Sequence, residues 1–226
     1  MKHLTKILAV TATLGLMAES AIADPIELFD YSYNIDGAPT EGAFGDPTPA
    51  EVDDTAFDYH TGLGQIDIEI VGLGLHSALA FFDHEIDESI NTFFNESSTG
   101  NNAPAPCQTG ETDEPGYVFG DIYDNFLNNT LCNYTNVTAV APDDVSMAMG
   151  WDFVLGAGET AVVSFFLSDT NDAGAAFYMT HRPREPAQDI LLEHSRYHCG
   201  RRTGTLMLFS LGLIGLGMLT RRKVVA

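Results

Sequence analysis

Residues 7–181 contain no lysine and no arginine, yet all but three (Glu185, Asp189 and Glu193) of the chain's 32 Asp and Glu residues lie there. The net charge is −22. A phosphate backbone is held by Lys and Arg, so this absence excludes nucleic-acid binding and sets the body against anionic surfaces. Its carboxylates have no Lys or Arg partner within the body. They must face water, accept hydrogen bonds or meet metal ions. Diffuse charge for solubility and a specific cation site are the two readings this leaves.

Other absences narrow the function. The sequence has no GxSxG elbow, HExxH pair or CxxC pairing, which removes the common local signatures of nucleophilic and zinc-dependent catalysis. The glycine pairs at Gly62/Gly64 and Gly72/Gly74 do not complete GxGxxG before a helical pattern, so no dinucleotide site is indicated. His60, His76 and His84 are isolated and read as exposed or structural. The single tryptophan, Trp151, sits in an apolar run and reads as a core anchor rather than a sugar-stacking platform. Carboxylate pairs for acid/base work abound by composition alone, so none singles itself out, and the chain is expected not to be an enzyme.

What the chain does have is a basic, apolar address at each end. Lys2 and Lys6 precede an 11-residue apolar run at 7–17, and Ala21-Ile22-Ala23 follows with the small residues a signal peptidase requires. Residues 1–23 are therefore expected to be a removable secretory signal, whose apolar run falls short of the ~20 residues needed to span a bilayer. The body, 24–180, suits one domain. Strict alternation in Ile66-Asp67-Ile68-Glu69-Ile70 marks a half-buried strand, and further strands are expected at 26–31, 75–82, 90–94, 117–122, 147–155, 160–167 and 175–179. The fold class expected is all-β, a single sandwich of about 7–8 strands. Turns are expected at Gly62-Leu63-Gly64 and Gly72-Leu73-Gly74, a hairpin at Gly156-Ala157-Gly158, and a long surface loop over 97–116.

Export permits disulfides. Cys107 and Cys132 would close a loop of about 25 residues, constraining the unfolded chain by about 3 kcal/mol; Cys199 is left over. The densest acidic stretch, Asp83-His84-Glu85-Ile86-Asp87-Glu88, opens like a calcium loop but lacks the glycine and terminal acid of an EF-hand. A different calcium site using Asp83, Glu85 and Asp87 is the candidate, set against a solvated acidic turn. No other cofactor is called for.

Near the other end, Thr205 opens the run TLMLFSLGLIGLGML, which is followed by Thr220 and by Arg221, Arg222 and Lys223. From Gly204 to that basic cluster the segment resembles the tail of PEP-CTERM proteins, the bacterial substrates of exosortase. Fifteen residues at 1.5 Å each give roughly 22 Å, short of the ~30 Å hydrocarbon core, so such an anchor would be transient. The three cations would stay cytoplasmic and leave the acidic body outside. The resemblance implies signal peptidase and an exosortase-like membrane protease as processing partners. It also implies a cell-surface or extracellular location, with exopolysaccharide association as an expectation of the family.

The family's Pro-Glu-Pro motif does not stand before Gly204; Arg201-Arg202-Thr203 does, and Pro183-Arg184-Glu185-Pro186 lies too far upstream. Residues 181–202 are foreign to the body, holding five arginines, three of the seven histidines and Cys199. Residues 181–203 read as a linker or as a locally frame-shifted final strand. A one-base shift admits IYYWSTLDI from position 189 and AEPG just before Thr205, and sequencing the gene there decides between the two. Translated as written, the segment is expected to lose the last strand and leave a sheet edge unpaired. His194, His198 and Cys199 have metal-ligand spacing but no partner cluster for a four-ligand zinc site.

These observations point to an exported, non-enzymatic surface or matrix protein. A calcium-dependent carbohydrate-binding or adhesion module and a secreted hydrolase are the alternatives. The hydrolase would require a concave pocket with convergent, perturbed side chains.

Overall fold

The computed structural model describes residues 26–42, 47–87, 92–101, 105–116, 119–133, 136–170, 177–183 and 190–201. The terminal addresses at 1–23 and 204–226 lie outside the described residues. Among the described residues, no helix is long and apolar enough to cross a membrane.

The body is all-β, with every strand pair antiparallel. The strands are β1 (Ile26–Ile35), β2 (Ala38–Gly42), β3 (Val52–Asp58), β4 (Leu63–Val71), β5 (Gly74–Ile86), β6 (Glu96–Asn101), β7 (Gln108–Asp113), β8 (Ser146–Leu155), β9 (Glu159–Ser168), β10 (Tyr178–Pro183) and β11 (Ile190–Arg201). One sheet runs β2-β1-β5-β8-β7 and the other β3-β4-β9-β11-β10-β6.

Alternation explains the layers. Ile66, Ile68 and Ile70 of β4 are buried while Asp67 and Glu69 take the other face. They meet Ala78, Ala80 and Phe82 of β5, Met147 and Met149 of β8, and Val163 and Phe165 of β9 in one core between the sheets. The intervening residues of β5 are apolar too, because the outer face of its sheet is covered. Leu79, Phe81 and Ala148 pack there against Ile122 and Phe126 of a short helix, α1 (Ile122–Leu127), and against Leu131. Asn34 Nδ2 donates to the Phe126 and Leu127 carbonyls (2.8 and 3.1 Å) at the helix end, where Phe126 also accepts from Asn129 N–H (3.2 Å).

Several sequence expectations are corrected. Residues 117–122 hold no described strand: positions 117–118 lie outside the description, and Ile122 begins α1. At 90–94, Phe93 and Phe94 belong instead to a 3-10 turn, Phe93–Asn95. The supposed loop over 97–116 contains most of β6 and all of β7. Polar residues hid both strands, because Ser98 and Thr112 are buried and bonded to each other across the sheets (2.7 Å). Gly156-Ala157-Gly158 is not a hairpin, since β8 and β9 belong to different sheets and the turn carries the chain from one layer to the other. The same holds at Gly72-Leu73, between β4 and β5.

Residues written as linker also form structure. β11 is an interior strand, paired to β9 on one side and β10 on the other, so the segment as written leaves no edge at that position. Its side chains, including His194, His198 and Cys199, lie outside the described residues. Cys107 and Cys132 are separate, exposed free thiols. Cys107 precedes Gln108 and its carbonyl accepts from Asp152 N–H, whereas the Cys132 N–H donates to Glu111 Oε2 three residues further along β7. The two cysteines thus dock at different points along β7, and their sulfurs are not bonded to each other.

Candidate functional site at the acidic end

The carboxylates gather at one end of the sandwich, where β5 and β7 finish and β6 and β8 start. Asp83, Ser146 and Asp113 stand in register across β5, β8 and β7. On the outer face, Ser146 Oγ donates to Asp83 Oδ1 (2.9 Å). Asp83 is only 1% exposed. Burial, reinforced by the charge of Asp144, holds its carboxyl well above the usual range, against the opposing Ser146 bond.

Beside this row, Glu111, Asp113 and Asp121 place a carboxylate oxygen each within 4.8 Å of one another. Strand β7 supplies the first two, and the residue preceding α1 supplies the third. Their orientation is fixed from around the group: Asn125 Nδ2 donates to Glu111 Oε1 (2.9 Å), Cys132 N–H to Glu111 Oε2 (2.8 Å), and Asp121 N–H to Asp113 Oδ2 (3.2 Å). Gly120 makes the approach feasible. Its φ of +78° suits glycine, and a Cβ there would collide with the Glu114 carbonyl. Three hard oxygen donors suit calcium rather than zinc, with backbone oxygens or water needed to complete six or more ligands.

The calcium trio expected from sequence behaves differently. Asp83 and Glu85 lie on β5 and Asp87 just past its end, and the ligand atoms of the three do not form a convergent group. Asp87 follows the strand in the left-handed region, φ +51°. The group that does converge comes from positions 111, 113 and 121. Its only sequence signal was the i, i+2 pair Glu111 and Asp113 inside the supposed loop.

Inside the same end, facing the core, His84 and His181 are both fully buried. Burial pushes each imidazole down to about 3, with the neighbouring ring adding to the effect at His84 and Asp144 opposing it at His181. His181 Nε2 lies 2.7 Å from Glu96 Oε2, itself buried. His84 Nε2 reaches the Gly62 carbonyl (3.2 Å).

A cavity of about 260 Å³ opens beside these groups, where the 92–95 turn meets Asp143, Asp144 and the segment after β7. Phe93, Phe94 and Phe119 line it together with Glu114, Asp143 and Asp144. Burial pushes Asp144 up to about 6 and raises Glu114, and the charges of Asp113, Asp143 and Asp144 raise Glu114 further. A carboxyl whose proton is held more tightly than usual in a concave pocket can donate a hydrogen bond or a proton.

No family model, curated protein or solved structure matches the chain.

Proposed function

We propose that the chain is an exported, non-enzymatic protein of the cell surface or extracellular matrix, delivered by an exosortase-type system, with the two-sheet body as its displayed cargo. The observation that carries this reading is the placement of charge. Lys2 and Lys6 flank one apolar run, Arg221, Arg222 and Lys223 close another, and nothing between residues 7 and 181 is a Lys or Arg. Basic clusters confined to the two apolar ends, with none between, suit translocation of the body and positive-inside retention of the tail. In this reading residues 1–23 are removed by signal peptidase, and 204–226 form a short membrane helix processed by an exosortase-like protease. The body touches the membrane only through its ends.

Replacing Arg221, Arg222 and Lys223 together by Gln tests the tail. The variant should lose transient retention at the inner membrane and escape processing; a variant processed like the parent refutes the sorting role.

Two other readings each have an observation in their favour. Convergence of Glu111, Asp113 and Asp121 favours a calcium-dependent carbohydrate-binding or adhesion module. Calcium at about 100 times its dissociation constant would then raise stability by about 2.7 kcal/mol, and Asp121→Asn would abolish the rise. The raised carboxyls of Asp144 and Glu114 in a concave pocket favour a secreted hydrolase. Glycoside turnover lost in Asp144→Asn would establish it.

A further inference from the structure

Scattered exposed apolar residues are ordinary, but three aromatic rings around one concavity are not. Phe93, Phe94 and Phe119 are 38%, 56% and 65% exposed, and all three line the same cavity. Phe93 and Phe94 hold their ring centroids 3.9 Å apart. The core does not claim them: neither they nor Phe119 join the clusters on either face of the β5 sheet. The polar side chains lining the cavity are all acids, namely Glu114, Asp143 and Asp144. Arg182 is exposed on β10 opposite Ser97 and does not line the cavity.

This combination selects the occupant by elimination. An anion meets three carboxyls, so it is repelled. A neutral apolar molecule gains from the rings but desolvates the acids without compensation. A bare metal ion needs convergent oxygens, and these three acids are not among those that converge. A weakly hydrated organic cation satisfies both walls, because aromatic faces attract it through their quadrupoles while carboxylates neutralise its charge.

We propose that the cavity between Phe93, Phe94 and Phe119 binds a small soluble organic ammonium ion, with its alkyl surface against the rings and its charge toward Asp143, Asp144 and Glu114. Three segments close on the ligand. Glu114 follows β7, and Phe119 precedes α1. Asp143 exchanges backbone hydrogen bonds with Glu96 (3.1 Å each), which ties its loop to the end of the phenylalanine turn. The walls are therefore anchored to both sheets. The assignment is independent of the sorting reading, since it concerns the body alone.

Choline and its neutral carbon isostere, 3,3-dimethylbutan-1-ol, are suitable probes because they share a shape and differ in charge. Calorimetric titration of the full chain at low ionic strength should show choline binding at least tenfold more tightly than the alcohol. Phe119→Leu, at an exposed ring, and Asp143→Asn, which keeps an oxygen to accept the Asp144 N–H (3.0 Å), should each weaken choline about fivefold or more without lowering the melting temperature. Equal binding of the two probes, absence of choline binding, or undiminished choline binding in both variants would overturn the assignment. The last result would mean that the acidic surface at large attracts the cation.

Discussion

Replacing Asp144 by Asn should stabilise the protein at neutral pH and leave it unchanged in acid. Asp144 is half-buried, with Oδ1 screened from water and lacking a hydrogen-bond partner, and its carboxyl is raised to about 6 from an ordinary 3.8. For an acid whose pKa is raised by folding, the stabilising contribution is complete below the unfolded value and is lost as pH climbs through the folded one. About two units at 1.36 kcal/mol each set a ceiling of about 3 kcal/mol, and partial exposure to solvent roughly halves it. Asparagine cannot ionise and can still accept the Val145 N–H. Asp144→Asn should therefore exceed the parent by about 1.5 kcal/mol above pH 7, with the gap closing between pH 6 and 4. Urea unfolding at a series of pH values, with chelator present, measures it. A pH-independent difference, or a variant less stable at neutral pH, would refute the claim that burial of this carboxylate opposes folding.

The two interior histidines should act in the opposite sense. With folded values near 3 for His84 and His181, each stabilises fully above its unfolded value of about 6.5 and loses about 1.4 kcal/mol per pH unit below it. The parent should consequently unfold steeply below about pH 4, where the raised acids no longer compensate, and thermal melts across that range read it. Gly62→Ala should cost several kcal/mol, of order 3, because φ is +67° and the added methyl would collide with the His84 ring; denaturant midpoints check this. The Cys132 thiol, pushed up to about 11 mainly by burial with Glu111 adding to it, should alkylate much more slowly than Cys107 at pH 8. A chain purified from an oxidising compartment should present both as free thiols, as mass spectrometry after blocking would reveal.

How much of this was legible follows from which residues carried a period. β4 announced itself because isoleucine and acid alternate, and β5, β8 and β9 because their apolar runs are long. β6 and β7 did not, since Ser98, Thr112, Glu111 and Asp113 are buried by pairing with one another and with the segment around α1. α1 was read partly as strand because six residues span less than two turns, too few to show a 3.6 period. The turn at Gly156 has the chemistry of a hairpin, and nothing local says that the next strand joins the other sheet. The acidic end was visible as composition, but its convergence was not. Glu111, Asp113 and Asp121 come from both sides of a chain reversal, and the three phenylalanines come from turns separated by β6 and β7. His181 was set aside with a foreign-looking segment, yet it closes the core against Glu96.

The most direct measurement is fractionation of cells with and without the exosortase-like protease, following the intact protein by its acidic body. The account predicts release to the surface or medium when the protease is present, and accumulation of an unprocessed, inner-membrane form when it is absent. Finding the whole chain soluble in the cytosol in both strains, with neither end removed, would contradict it.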